Sequence, residues 1–376
     1  MPKENEIEFN NITKVSEDVK AENERPLLEK VTPEEEPKRR SNKKPSKKKK
    51  IIKRLLLIIL AMLLIAAGVI AWQIQSIKKV IDNSNVALSN TPKTKFTQEP
   101  TNILILGVDE AFDDKSTWRT SQNTDAILIA RFDPVSKKIT TASIPRDVVA
   151  QSTCEQSTVK DQYVKINSIT ANVVQYDDRV KTIKSGLECF VNVMKTNYNI
   201  TINEVVRLNF KAVIDLIDQI GGLEFAPDVQ NFGPGAEDGF CAKDEYGKED
   251  AYCFKPGVSQ KMNGATALAY ARERYADSDF YRGLRQQEVV FQLTQKIKTD
   301  VSLLAKIPSL IGALENNMMT TFNSDIVNDV ASLSTSFGSY QTKSIGKLDT
   351  VKIDNGENYA ITEEDKEKLE KVFNGK

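Results

Sequence analysis

The 376-residue chain contains no histidine. That absence excludes a Ser-His-Asp or Cys-His nucleophile system, a histidine-ligated metal and an imidazole general base. Any chemistry must use carboxylates, arginines, lysines or a metal held by oxygen. An overall charge excess is also missing, since 52 Lys and Arg balance 52 Asp and Glu. Electrostatic function therefore has to be local. Cysteine is scarce, with four residues and no C-x-x-C pair, which argues against a zinc site in a chain without histidine. Residues 1–37 are short of aromatics and rich in acidic and polar residues. Such a stretch cannot bury enough apolar surface to offset chain entropy, and disorder is expected there.

Charge and hydropathy are sharply patterned next. Residues 38–54 carry eleven Lys or Arg and no acid. Leu55 to Trp72 then gives eighteen uncharged residues, "LLLIILAMLLIAAGVIAW". At ~1.5 Å rise per residue this covers roughly 27 Å, close to a bilayer's hydrocarbon core. The segment starts late, runs long and ends without a small-residue cleavage site, so it reads as an anchor rather than a signal peptide. The positive flank predicts a cytoplasmic N-terminus and an extracytoplasmic remainder in a single-pass cell-membrane protein. Beside a span, the lysine run is a topogenic signal that touches anionic membrane lipid, and no nucleic-acid partner is expected. The expected divisions are a disordered tail with its basic run over 1–50, a transmembrane helix over 51–73, a stalk over 74–100 and one catalytic domain over 101–376.

All four cysteines lie beyond the span, and an even number in an oxidising compartment suggests two disulfides. Cys241 and Cys253 bracket one short polar loop and form the expected pair, leaving Cys154 with Cys189.

Beyond residue 100, strands and helices alternate. "TNILILGVD" reads as a buried strand, "TDAILIARFD" and "ITTASIP" as a hairpin, and "EVVRLNF" as another strand. Helices are expected near 178–198, 211–222, 264–271 and 284–299, two more between 301 and 337, and further strands in "YQTKSIG" and "LDTVKID". The fold class this implies is α/β: a single α/β/α domain around a central mixed β-sheet, carried on one N-terminal transmembrane helix.

Two patterns point to chemistry. Asp109, Asp125 and Arg146 sit at strand ends, where carboxylates can converge on a hard cation; taken singly they also serve as turn, cap and ion-pair residues. "YARERYADSDFYRGLRQQ" places Arg272, Arg274, Arg282 and Arg285 within fourteen positions. Those arginines are either a solvated helix face or a clamp for a multiply charged anion, because arginine offers planar, bidentate donors that never lose charge. Arg272 and Arg274 share a face only if the helix stops near Ala271.

"NILILGVDE", "TDAILIARFDP", "ASIPRD", "KIN", "NFKAVIDLIDQIGGLEF", "MNGATALAYARER" and "DSDFYRGLRQQ" together resemble the LytR–CpsA–Psr family in order and spacing, over roughly residues 100–300. The resemblance implies a membrane-anchored phosphotransferase. Such an enzyme moves a glycopolymer, such as teichoic acid or capsular polysaccharide, from a polyprenyl-pyrophosphate carrier to a peptidoglycan hydroxyl. It further implies that Arg146, Arg272, Arg274 and Arg282 hold the pyrophosphate, assisted by Lys165 and Gln286, and that Asp109 and Asp125 are Mg²⁺-associated acids. By the same resemblance Asp279 braces an arginine, while Arg285 and Gln287 are either clamp or structural residues. Asp109, Asp125, Arg146 and Arg282 are the expected catalytic set. Asn123 stands where the family often has arginine, and Arg119 is a possible substitute. A lipid-pyrophosphate hydrolase and a non-catalytic envelope-binding or regulatory protein remain open alternatives.

Overall fold

The computed structural model describes residues 47–108, 122–243, 251–333, 336–346, 348–353 and 358–375. The chain divides into two units, Met1–Ala61 and Met62–Lys376. The first helix, α1 (Lys47–Ser84), contains one stretch, Ile58–Ser84, long and apolar enough to cross a membrane.

The helix continues past the expected span into the segment read as a stalk. Ile77, Val80 and Ile81 recur at helical spacing and are buried, as is Val86 just beyond. The Val86 amide donates to the Thr320 carbonyl at 2.7 Å, and the Phe96 ring stacks on Phe132 with centroids 4.5 Å apart. Part of the segment expected as a stalk is thus buried in the fold, and its helical positions Ile77, Val80 and Ile81 form one apolar stripe. Each buried aliphatic side chain contributes about 1.5–3 kcal/mol at most. A chain starting at residue 95 is expected to melt about 5–10 °C below one starting at residue 75, measured by thermal unfolding. Equal melting temperatures would contradict this packing.

The strands start with β1 (Thr101–Val108), β2 (Thr124–Asp133) and β3 (Lys138–Ser143), an antiparallel meander. A small hairpin, β4 (Val149–Gln151) and β5 (Tyr163–Lys165), follows. The Asp178 carboxylate accepts from the Val180 and Lys181 amides and starts α2 (Arg179–Tyr198). That helix returns the chain to β6 (Glu204–Asn209), which lies parallel to β1. Asn209 caps α3 (Phe210–Gln219) by accepting from the Ala212 amide, and two glycines at φ 82° end it. Next come β7 (Leu223–Phe225), β8 (Phe240–Ala242), β9 (Tyr252–Phe254) and β10 (Gln260–Met262), in two short antiparallel pairs. Helices α4 (Gly264–Arg272), α5 (Asp279–Thr299) and α6 (Ile307–Leu314) precede β11 (Met318–Thr320) and α7 (Ile326–Leu333). The chain closes with β12 (Gln341–Ser344), β13 (Thr350–Ile353), β14 (Asn358–Ile361) and α8 (Glu363–Asn374).

Among the described residues, six strands form one mixed sheet in the order β11-β6-β1-β2-β3-β12. Alternation along β1 and β2 sends Leu104, Leu106, Ile127 and Ile129 into a core shared with α2 and α8. A second core joins α3 and α4 to α5 and the short β-pairs. Between them, the other sheet face presents Ile103, Ile105, Val206 and Leu208, apolar but only half-buried. Cys154 bonds Cys189 inside the first core, and Cys241 bonds Cys253 across β8 and β9, the same two pairs expected from the sequence.

Candidate functional site: an arginine-lined cleft

One cleft of about 200 Å³ is lined by Asp125, Arg146, Phe210, Arg272, Arg274, Tyr275, Arg282 and Gln286. Among the described residues the lining holds four guanidinium groups and one carboxylate, in a domain whose residues 73–376 carry more acid than base.

Each side chain arrives by an identifiable local device. Between Gly107 and Val108 the β1–β2 register slips, pairing Ala126 and then Thr124, which leaves Asp125 as the extra residue of a bulge. Bulges re-aim side chains, and this one turns Asp125 to the cleft. Arg146 follows β3 and donates from Nη1 to the Asp125 Oδ1, while its Nε lies 3.6 Å from the Asp147 carboxylate. Lys165 does not line the cleft; its Nζ donates to Asp147 at 3.2 Å and braces the Arg146 side indirectly. The assisting role expected for Lys165 therefore has its observed contact at Asp147 rather than in the cleft lining. Burial pushes the Asp147 carboxyl up, but the Lys165 hydrogen bond and the charges of Arg146, Lys165 and Arg282 outweigh it and hold the group below the usual carboxylate range. A depressed carboxylate pKa contributes stability that is present above about pH 4 and lost as pH falls through the folded value. Asp147→Asn is expected to flatten that acid limb in pH-dependent melting, and an unchanged limb would assign the loss elsewhere.

The helix α4 ends at Arg272, and Glu273 is extended with ψ 136°. The expected stop near Ala271 is thus found one residue later. Arg272 and Arg274 both reach the cleft across this break. The Glu273 carboxylate folds back and accepts from the amides of Arg274, Tyr275 and Ala276, shaping the turn. The Arg272 guanidinium lies 4.3 Å from the Phe210 ring centroid, a cation–π contact that orients it. Arg274 donates to the Tyr275 hydroxyl at 3.2 Å. That hydrogen bond and the Arg274 charge, with smaller help from Lys243 and Arg146, pull the Tyr275 phenol down.

Helix α5 supplies Arg282 and Gln286 one turn apart, with Arg282 only 5% exposed. Gly283 lets this helix approach the sheet, since a Cβ there would stand 3.1 Å from the Ser143 Oγ. Arg285 faces the other way and is fully buried. It forks onto Asp277 at 2.7 and 2.9 Å and also donates to the carbonyls of Asn231 and Glu273. The fourth arginine of the sequence cluster is a structural tie. Gln287 accepts from Ser344 and is likewise structural.

Asp109 and Arg119 lie outside the described residues, and Asp279 opens α5 with its side chain also outside them. No group of three or more Cys, Asp or Glu able to hold a metal occurs among the described residues. Phe210, Tyr275 and Asp277 escaped the sequence reading. Nothing in residue type marks the first two, and Asp277 sits in "DSD" beside the more conspicuous Asp279.

The LytR_cpsA_psr family model matches residues 71–375. The chain belongs to the LytR–CpsA–Psr family. Among curated relatives, Biofilm regulatory protein A of Streptococcus mutans serotype c is 27% identical over 59% of this chain and 50% of its own length. Polyisoprenyl-teichoic acid–peptidoglycan teichoic acid transferase TagU of Bacillus cereus is 27% identical over 70% of this chain and 76% of its own. The chain thus spans half the length of one LytR–CpsA–Psr relative and about three quarters of the other. The solved structure titled TagT bound to LIIa-WTA aligns with 77% of this chain and 98% of its own at a TM-score of 0.56 and 20% identity, which shows the shared fold.

Proposed function

We propose that this protein transfers a glycopolymer from a polyprenyl-pyrophosphate carrier to a peptidoglycan hydroxyl in cell-wall assembly, forming a phosphodiester. The observation that carries this reading is the convergence of four guanidinium groups on one cleft. A pyrophosphate is the small anion whose charge density and many acceptor oxygens use that many planar forks. The name of the TagU relative, a teichoic acid transferase, agrees with it. The half-buried apolar sheet face that includes Leu208, two residues before the cleft residue Phe210, suits a polyprenyl tail. The apolar segment 58–84 would hold the protein at the membrane where such a lipid resides, with the N-terminus cytoplasmic.

The hydroxyl oxygen attacks the polymer-side phosphorus, forming a new P–O bond. The bridging P–O bond breaks, and polyprenyl phosphate departs with its electron pair. The hydroxyl proton passes to a carboxylate, which the proposal assigns to Asp109. Arg146, Arg272, Arg274 and Arg282 disperse the charge that develops on the equatorial and leaving oxygens, and Gln286 adds a neutral donor. Asp125 holds Arg146 in place and offers a hard oxygen to the cleft. A magnesium ion takes one or two carboxylates and fills its remaining positions with water and phosphate oxygens, so this donor chemistry fits it. Asp125 and Asp109 would hold the ion, which when bound neutralises pyrophosphate charge.

The test incubates the full chain in detergent with a polyprenyl-pyrophosphoryl oligosaccharide, peptidoglycan fragments and Mg²⁺. The expected products are a phosphodiester-linked conjugate and free polyprenyl phosphate. Release of sugar phosphate into water without a conjugate would support hydrolysis instead. Binding without turnover would support the non-catalytic reading.

A further inference from the structure

Tyr275 is 81% exposed, yet it lines the same cleft as four arginines. An exposed aromatic ring that lines an arginine-rich cleft offers a bound ligand a flat apolar face beside the charged groups. Its position is fixed from two sides. The Glu273 carboxylate holds its amide at 2.6 Å, and Arg274 donates to its hydroxyl at 3.2 Å with the guanidinium carbon 5.0 Å from the ring centroid. The other aromatic residue of the lining, Phe210, is set differently. It is half-buried beneath Arg272 and continues from the half-buried apolar strand face through Leu208. The cleft lining therefore includes a half-buried ring, Phe210, and an exposed one, Tyr275.

We infer that Tyr275 is the platform for the first sugar of the transferred glycopolymer, a subsite adjoining the pyrophosphate clamp at its solvent end. A pyranose presents an apolar C–H face that packs on the electron-rich face of an aromatic ring, while its hydroxyls stay in water. Arg274 couples the two subsites: its fork reaches the phosphate region and its other contact anchors the ring. This inference rests on the proposed pyrophosphate reading and deepens it by naming the group at the cleft mouth.

The experiment compares two probes on the full chain in detergent: farnesyl pyrophosphate, and the same lipid carrying one N-acetylglucosamine on its terminal phosphate. The readout is the ratio of their dissociation constants. An aromatic stacking contact is worth about fivefold to tenfold in affinity, so the wild-type protein should prefer the sugar-bearing probe by roughly that factor. Tyr275→Ala should bring the ratio close to one. Tyr275→Phe, which keeps the ring and removes the hydroxyl, should retain the preference. A ratio unchanged in Tyr275→Ala overturns the inference. So does loss of the preference in Tyr275→Phe, since the residue would then act only through its contact with Arg274. If the wild-type protein binds neither probe, the pyrophosphate reading fails and the sugar subsite falls with it.

Discussion

Arg272→Ala and Arg274→Ala are each expected to lower glycopolymer transfer at least tenfold, with the unfolding temperature within about 2 °C of wild type. The reason is geometric. Both side chains reach the cleft from the break after α4, and neither is buried in a core. A charge-assisted hydrogen bond to a phosphate oxygen is worth about 1.5–3 kcal/mol, and ~1.4 kcal/mol is a factor of ten in rate. The double variant should therefore fall about a hundredfold or more. Lysine should rescue poorly at either position, because an ammonium cannot present a planar fork and would also forfeit much of the stacking that Arg272 makes on Phe210. Were these arginines a solvated face, each would contribute about 0–1 kcal/mol through exposed ion pairs, and alanine would leave transfer nearly unchanged. A transfer assay beside thermal unfolding separates these outcomes.

Asp277→Ala acts through stability. It leaves the fully buried Arg285 guanidinium without its carboxylate, and breaking a buried pair by removing one partner costs about 3–5 kcal/mol. For a domain of this size that corresponds to roughly 10 °C in melting temperature. The tie joins three segments: α5, the 273–277 turn and the loop containing Asn231, whose carbonyl also accepts from Arg285. Loss of transfer should follow, because Arg274 and Tyr275 sit on that turn. Activity should recover on lowering the assay temperature, which the clamp variants should not match. A melting temperature unchanged in Asp277→Ala would show that the loop backbone carbonyls alone suffice for Arg285.

Much of the architecture was legible because it is periodic. Alternating apolar runs announce β1, β2, β3 and β6, and side-chain caps at Asp178, Asn209 and Asn263 start α2, α3 and α4. The arginine density drew attention to residues that line the cleft, although in the sequence a solvated face and an anion clamp both stayed open. Other features were hidden because burial is not written in residue type. Arg282 and Arg285 are three apart on one helix and look equivalent in the sequence, yet one faces the cleft and the other a sealed carboxylate. The apolar stripe of Ile77, Val80 and Ile81 was overshadowed by the long apolar run before it, although its spacing is helical. The C-terminal β14 and α8 escaped because their charge is dense; Leu369 and Phe373, one turn apart, carry the burial. The bulge that aims Asp125 depends on a register slip between two strands, which neither strand shows alone.

The central claim is that the four-arginine cleft holds a pyrophosphate. Its most direct test is calorimetric titration of the detergent-solubilised full chain with polyprenyl pyrophosphate and with polyprenyl monophosphate, repeated on the Arg272→Ala, Arg274→Ala double variant. The account predicts at least tenfold tighter binding of the diphosphate by the wild-type protein, and loss of that preference in the variant. Equal affinity for the two lipids, or a diphosphate preference that survives removal of both arginines, would contradict it.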